Sequence, residues 1–412
     1  MVPRGTCLIL DPSKGDFHPH LMSREVSKPE NNDDIWHALR GAVRSQCREL
    51  SQTASHLSGG IDSQLVALAL LEEGIPATFF TINAKSTLSP LSEDAMRSVA
   101  FAERHHIKHE VVDMTSSDFW SSLYGFSKIV EEPRVGQSVI NKHLAMAIGD
   151  SFRVSLTGVG ADEYFGGYPW RYPIDVDTQK GMIDLLDFST VNEFVNWHRT
   201  KILRHDARSL RRVLRDETVF QSLKARALDS HHHALKRFIP ENGDDPTRWL
   251  RASMEFDREY FLPSLLVMED KVSMRSSIET RHPFLDPNVI ALSSPIFCIS
   301  DGLKCPKTSL RNHSSRERIF GKVQLRQILS QLGEPQGAWA PKTGFSAPLK
   351  EWFTDKNRLI EFVESAGSGF WEIFSRTGVS QFIRGSSSDP QGQEALLWSL
   401  LYLADFSREW GK

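Results

Sequence analysis

From residue 33 the apolar positions of the chain switch repeatedly between two periods. Trp36, Leu39, Val43, Cys47 and Leu50 recur at three- and four-residue steps, which predicts a helix over about 33–51. A short apolar run over 54–58 then breaks into Ser58-Gly59-Gly60-Ile61-Asp62-Ser63. Beyond the break, Leu65, Leu68, Ala69 and Leu71 return to helical spacing, with Gly74 where a C-cap falls. "ATFFTIN" (77–83), "HEVVDM" and "FRVSLTG" (152–158) read as strands, and "SEDAMRSVAFAERHHI" (92–107) carries a helix. Strand alternating with helix predicts a parallel sheet. After about residue 175 the strand signals fade, and the chain reads mainly helical to "EALLWSLLYLADFSREW", with a surface loop at 384–393. There is no internal repeat. The pattern predicts one large α/β unit with a helical extension.

Ligands of open parallel sheets bind at the carboxyl ends of strands, and two predicted ends carry chemistry. At 58–63 a strand–glycine–helix junction turns backbone N–H groups toward the positive end of a helix dipole, which favours an anion such as phosphate. No lysine follows as in a Walker A loop, and no G-x-G-x-x-G is present. Asp62 repels a bare polyphosphate and makes sense there with Mg2+ between them. The competing reading is an ordinary strand-to-helix turn with an incidental Asp. At 155–168, "SLTGVGADEYFGGY" sets Asp162 and Glu163 among four glycines. Asp62 and Asp162 are therefore the expected paired metal ligands, because Mg2+ takes one or two carboxylates plus phosphate oxygens and water.

Composition narrows the partners. The 412 residues are 40% hydrophobic and 25% charged with net charge −3, as in a globular chain with a sizeable core and no general pull toward nucleic acid or anionic membrane. The basic stretch 208–217 reads as a solvated helix face. Cys7, Cys47, Cys298 and Cys305 form no CxxC pair, which suits a reducing, cytoplasmic setting, and Cys47 reads as core. No apolar run approaches the ~20 residues that span a membrane. His231-His232-His233 reads as surface, since adjacent helical histidines point in different directions.

Five motifs in order, SGGIDS, TGVGADEYFGGY, "MEDKVSMRSSIETRHPFLD" (268–286), "KVQLR" (322–326) and "APKTGFSAPLKEWF" (340–353), resemble the synthetase domain of asparagine synthetases. The resemblance covers roughly 31–355 and extends to β-lactam and carbapenam synthetases and lasso-peptide cyclases, all ATP pyrophosphatases. It implies a five-stranded parallel sheet of the ATP pyrophosphatase (adenine nucleotide alpha hydrolase-like) type with a largely helical C-terminal portion. It also implies ATP and Mg2+ as cofactors and a reaction in which a carboxylate is adenylated, pyrophosphate leaves and an amine attacks. Carried over by residue, Ser58, Gly59, Gly60, Asp62 and Ser63 match the pyrophosphate loop, with Gly158 beside it; Asp162 matches the second magnesium ligand. Lys322 and Arg326 match a K-x-x-x-R pair, whose i,i+4 spacing puts both cations on one helix face, suited to phosphate. Lys342 matches the lysine that stabilises charge at the acyl centre. Leu57, Thr81 and Ile82 fall where adenine-contacting strand residues lie. Asp270, Glu279, Arg281 and Asp286 are expected to form a buried ion-pair cluster.

Two departures shape the functional expectation. Residues 1–30 resemble only the final strand pair of a glutaminase domain, so 31–412 is expected to be a synthetase domain with a free amine or a separate glutaminase as its ammonia source. Where asparagine synthetases carry Glu in GEGADE, and β-lactam-forming relatives Tyr, this chain has Val159, which accepts no proton. Glu163 or Glu269 is left to supply a base. The expected enzyme joins a small carboxylic acid to a weakly basic amine, in specialised metabolism, and a homodimer is compatible with it. The alternative is an intramolecular cyclase closing a lactam. A tRNA-modifying pyrophosphatase is disfavoured by charge and cysteine pattern, and a non-catalytic homologue by Asp62, Asp162 and Lys342.

Overall fold

The computed structural model describes residues 6–11, 16–21, 32–48, 50–87, 89–132, 138–177, 182–202, 207–239, 245–293, 320–340, 347–385 and 390–411. An antiparallel hairpin, β1 (Thr6–Asp11) and β2 (Asp16–Leu21), precedes helix α1 (Asn32–Gln46). Then come β3 (Thr53–His56), α2 (Ile61–Glu72), β4 (Ala77–Ala84), α3 (Glu93–Arg104), β5 (His109–Met114) and β6 (Val154–Leu156). A small hairpin, β7 (Ile174–Asp177) and β8 (Met182–Leu185), opens the helical portion, and β9 (Glu279–Arg281) lies far along the chain.

β3, β4, β5, β6 and β9 form a parallel sheet in the order β5-β4-β3-β6-β9. Strand order runs one way from β3 through β4 to β5 and the other way from β6 to β9. The switch point therefore falls between β3 and β6, whose carboxyl ends carry the two glycine-rich loops. This is where an open α/β sheet forms its ligand crevice.

Both faces of the sheet are covered. Phe79 and Leu156 belong to a core with Leu65, Val66, Phe101 and Leu325, whereas Phe80 and Ile82 join Trp120, Phe362 and Trp398 on the other side. Every residue from Ser63 to Leu70 of α2 is buried, the signature of a helix enclosed on all sides rather than laid on a surface. Gly74 has φ +64 just past its C-cap and closes the helix as its position in the sequence suggests.

Three expectations need correction. The fifth strand, β9, is only three residues long at the sheet edge, too short to show a period-two pattern, and lies in a stretch read as mainly helical. The ion-pair cluster does not form: Asp270 is exposed, Arg281 pairs at 2.9 Å with an exposed Glu279, and Asp286 caps the next helix by accepting from Asn288 N at 2.8 Å. His231 is half-buried rather than fully on the surface. Its ring stacks on the fully buried His198, with the two ring nitrogens 3.2 Å apart.

The helical portion contains a rod, Arg248–Phe256 continuing into Leu262–Met274, interrupted by one wide π-turn over Asp257–Phe261. Among the described residues no helix is long and apolar enough to cross a membrane.

Candidate active site

The loop after β3 is held open by its own side chains. Gly59 takes φ +68, and an added Cβ would lie 2.7 Å from Arg97 Cβ and 2.9 Å from Asp94 O, so only glycine fits. Ser63 Oγ accepts from Ser58 N at 3.0 Å and donates to Gly60 O at 3.1 Å, and Gln64 Nε2 donates to Gly59 O at 3.2 Å. These bonds present the first turn of α2 at the sheet's carboxyl edge. The β6 loop lies directly against it, because a Cβ on Gly158 would come within 2.6 Å of Asp62 Cβ.

Asp62 and Asp162 converge on one cation. Lys322 Nζ lies 2.5 Å from Asp62 Oδ2 and 2.7 Å from Asp162 Oδ1, and the lysine is 4% exposed. Burial alone would pull this ammonium down, but the two carboxylates, Asp162 first, hold it above its ordinary value. Lys322 reaches the carboxylates from a left-handed backbone (φ +57), with its N–H donating to Phe165 O at 3.0 Å. Such a conformation in a non-glycine residue costs roughly 1–2 kcal/mol and persists where the surroundings impose it. Gly321 makes the approach possible, since any side chain there would overlap Gly166 O.

The donor set fits Mg2+ at this point in one respect that the geometry tests directly: an oxygen of each carboxylate already faces a shared positive centre. Among the described residues no group of three or more His, Cys, Asp or Glu side chains is arranged to hold a metal, so further ligands would have to be substrate oxygens and water. Gly167 sets the spacing. A Cβ there would overlap Asp162 Oδ1 and lie 2.5 Å from Lys322 Cε. Gly167→Ala should therefore destabilise the fold by about 1–3 kcal/mol, the usual cost of overpacking. Gly41→Ala, with nothing within 4 Å of the new methyl, should be neutral or stabilising. Thermal unfolding of the two variants checks this.

Behind Asp162 lies a buried network that the sequence did not signal. Tyr168 Oη donates to Glu163 Oε1 at 2.7 Å, and Arg171 stacks 4.3 Å over the Tyr168 ring while pairing with Asp257 at 3.0 Å. Arg258, in the π-turn, donates to the Glu163 carbonyl at 3.1 Å. Burial, then the charge of Asp162, pushes Glu163 up to about 7, and burial also raises the Tyr168 phenol. These partners are nearly a hundred residues apart in places, and a lone arginine in a helical stretch carries no periodic signal.

Glu269, on Leu262–Met274, is pushed up to about 7 by burial. Its folded value exceeds its unfolded one, so its contribution to stability is full below pH 4.5 and is lost as pH rises through 7. Glu269→Gln should therefore gain about 2.5 kcal/mol relative to the parent between pH 5 and pH 8, from 1.36 kcal/mol per pKa unit. Urea unfolding at the two pH values reads the difference; parallel behaviour would leave the carboxyl out of the pH dependence.

Other expected site residues go to distinct places. Leu57 O accepts from the hydroxyls of Thr81 and of Ser98, the latter at 2.9 Å, and Thr81 Oγ1 also lies 2.8 Å from His109 Nε2. Leu57 and Thr81 thus meet beside the loop, whereas Ile82 is buried in the core on the other face. Lys322 and Arg326 do not act as a pair on one helix face. Lys322 is the N-cap, and the Arg326 guanidinium donates to Gly321 O (2.8 Å), Ala338 O (2.6 Å) and Ala340 O (3.0 Å). Lys342 lies outside the described residues.

The five-stranded parallel sheet is that of an open α/β fold, and its switch point brings a Ser-Gly-Gly loop and two carboxylates together in the crevice where such sheets bind ligands. The chain belongs to the asparagine synthase family, whose model matches residues 34–408. It is 25% identical over 359 residues to a putative glutamine-hydrolyzing asparagine synthetase of Mycobacterium bovis, covering 82% of this chain and 51% of that protein. It is 21% identical over 414 residues to asparagine synthetase 1 of Bacillus subtilis, covering 94% and 60%. The chain thus spans about half to three-fifths of the length of these curated relatives. A solved NMN synthetase from Francisella tularensis aligns over 60% of this chain and 95% of its own, at 13% identity and a TM-score of 0.26, too low to bear on the fold.

Proposed function

We propose that this chain is an ATP-dependent, AMP-forming ligase that activates a small carboxylic acid and passes its acyl group to an amine. The observation that carries the reading is the convergence of Asp62 and Asp162 on a single positive centre beside the Ser58–Ser63 loop. In this reading a carboxylate oxygen attacks the α-phosphorus of ATP, and the bond to the β-phosphate breaks as pyrophosphate leaves. The amine nitrogen then attacks the acyl carbon, AMP departs, and one N–H proton is lost. Backbone N–H groups of the loop, with the hydroxyls of Ser58 and Ser63, hold pyrophosphate oxygens. Asp62 and Asp162 would hold Mg2+, which when bound would offset phosphate charge. Lys322, already centred between them, supplies a fixed cation to the same phosphates, and Lys342 stabilises the anionic acyl centre. ATP–pyrophosphate exchange across a panel of carboxylic acids tests the reading. Exchange dependent on one acid class supports it, and no exchange with any acid overturns it.

Val159 packs on the apolar core at the turn between Thr157 and Asp162 and offers the departing proton no acceptor. General-base help is worth ~10²–10⁴-fold, so an enzyme lacking it at this position should favour amines that are already neutral at pH 7. Hydroxylamine-like, hydrazine-like and aryl amines should give higher yields at neutral pH than ammonia or alkyl amines, which are mostly protonated there. An amine panel against one accepted acid, read at several pH values, decides this; ammonia leading at pH 7 would show that Val159 has another explanation.

A further inference from the structure

Ala54 on β3 aligns with Ser155 on β6, and Ser155 with Thr280 on β9. Just past the carboxyl ends of β6 and β9, Thr157 N continues the pairing by donating to Arg281 O at 3.0 Å. Thr157, 2% exposed, is bonded on both sides: Val159 N donates to its Oγ1 at 3.4 Å, and His282 Nδ1 lies 2.9 Å from the same oxygen. Thr157 Oγ1 thus accepts from Val159 N–H and shares one further hydrogen bond with the His282 ring, in which the tautomer decides the donor. Burial pulls both His56 and His282 down to about 4, and for His56 the neighbouring His282 ring adds to the effect.

The turn that Thr157 holds has no slack. Gly158 packs on Asp62, and Gly160, at φ +97, leaves no room for a Cβ beside Leu285, three residues after His282. The segment from His282 to Leu285 thus backs the turn from two directions, by a hydrogen bond at one end and by packing at the other. Asp162 follows two residues later.

We propose that His282 is a positioning residue: acting through Thr157, it fixes the Gly158–Val159–Gly160 turn and so the placement of Asp162 relative to Asp62. Only the last link, from that placement to nucleotide binding, rests on the function proposed above. His282→Phe and Thr157→Val remove the hydrogen bond while keeping bulk. His282→Asn, whose amide can accept or donate near the Nδ1 position, and Thr157→Ser preserve it.

Hydrogen exchange of peptides spanning 157–163, followed by mass spectrometry on the unliganded chain, reads the turn directly. Exchange should be about tenfold faster in His282→Phe and Thr157→Val, near the parent in the two conservative variants, and no faster in the double variant than in either single one, as for two halves of one interaction. If His282→Phe does not fold, Thr157→Val against Thr157→Ser makes the same comparison. Titration calorimetry with Mg·ATP, without acid, should show about tenfold weaker binding in the disrupting variants. Unchanged exchange in those variants overturns the positioning role. Faster exchange with unchanged Mg·ATP affinity overturns the link to Asp162. A parent that does not bind Mg·ATP overturns the functional reading, and the exchange result still decides the role of His282.

Discussion

Asp162→Asn and Asp62→Asn should each reduce Mg·ATP-dependent pyrophosphate exchange by at least about a hundredfold, the scale on which even outer partners of metal ligands matter. The physical case is charge rather than shape. Asparagine keeps the size of the side chain and can still accept a hydrogen bond from Lys322, but it removes a negative charge from a centre where two carboxylates meet one ammonium at 2.5 and 2.7 Å. A bound metal would need both charges, because among the described residues no group of three or more His, Cys, Asp or Glu side chains is arranged to hold one. Breaking one side of a buried ion pair also costs stability, typically 3–5 kcal/mol when a charge is left alone. Here Lys322 keeps its second carboxylate, so the loss should be smaller and the fold should survive. Circular dichroism at the assay temperature separates the two effects, and near-normal exchange in either folded variant would remove the two-carboxylate site.

Lys342→Ala should cost at least ~3 kcal/mol of transition-state stabilisation, the amount associated with deleting one preorganised electrostatic donor. The acyl-adenylate and the tetrahedral species that follows carry more negative charge at the acyl centre than the ground state, so a fixed cation acts on turnover more than on ATP binding. The expected pattern is a turnover number reduced by about a hundredfold or more with nucleotide affinity within a fewfold of the parent. Equal loss in both would mean that the lysine binds rather than catalyses. An unchanged turnover number would give it no part in the reaction.

Much of this architecture can be read from the chain because the relevant signals are local. Four strands of the sheet, the enclosed helix α2 and the two glycine-rich strand ends all follow from period changes and punctuation within about fifteen residues. That Asp62 and Asp162 lie close together was legible for the same reason, since each carboxylate sits beside glycines that announce a close approach. What escaped was non-local. β9 is too short to show alternation, and Glu279 and Arg281, which look like members of an ion-pair cluster, are neighbours on its outer edge. Lys322 and Arg326 have helical spacing, yet the helix begins after Lys322, so one cation reaches back to the carboxylates while the other is spent on three backbone carbonyls. The links from Arg171 to Asp257 and from Arg258 to the Glu163 carbonyl depend on where a distant rod passes the sheet, which no window of sequence contains.

That rod carries one residue more than a regular helix would need between its two ends. Its first half anchors Trp249 among the aromatic rings of the helical portion, and its second half anchors Met268 and Val272 in the main core. Each residue of an α-helix advances the rotation by about 100°, so the wide turn at Asp257–Phe261 acts as a phase adjuster that lets two separately determined faces share one rod. The adjustment lands Asp257 on Arg171 and Arg258 on the Glu163 carbonyl. Deleting one residue there would make a better helix and a mismatched protein, because either the aromatic anchor or the core anchor would have to swing a quarter turn out of register. A one-residue deletion within Asp257–Phe261 should therefore destabilise this chain.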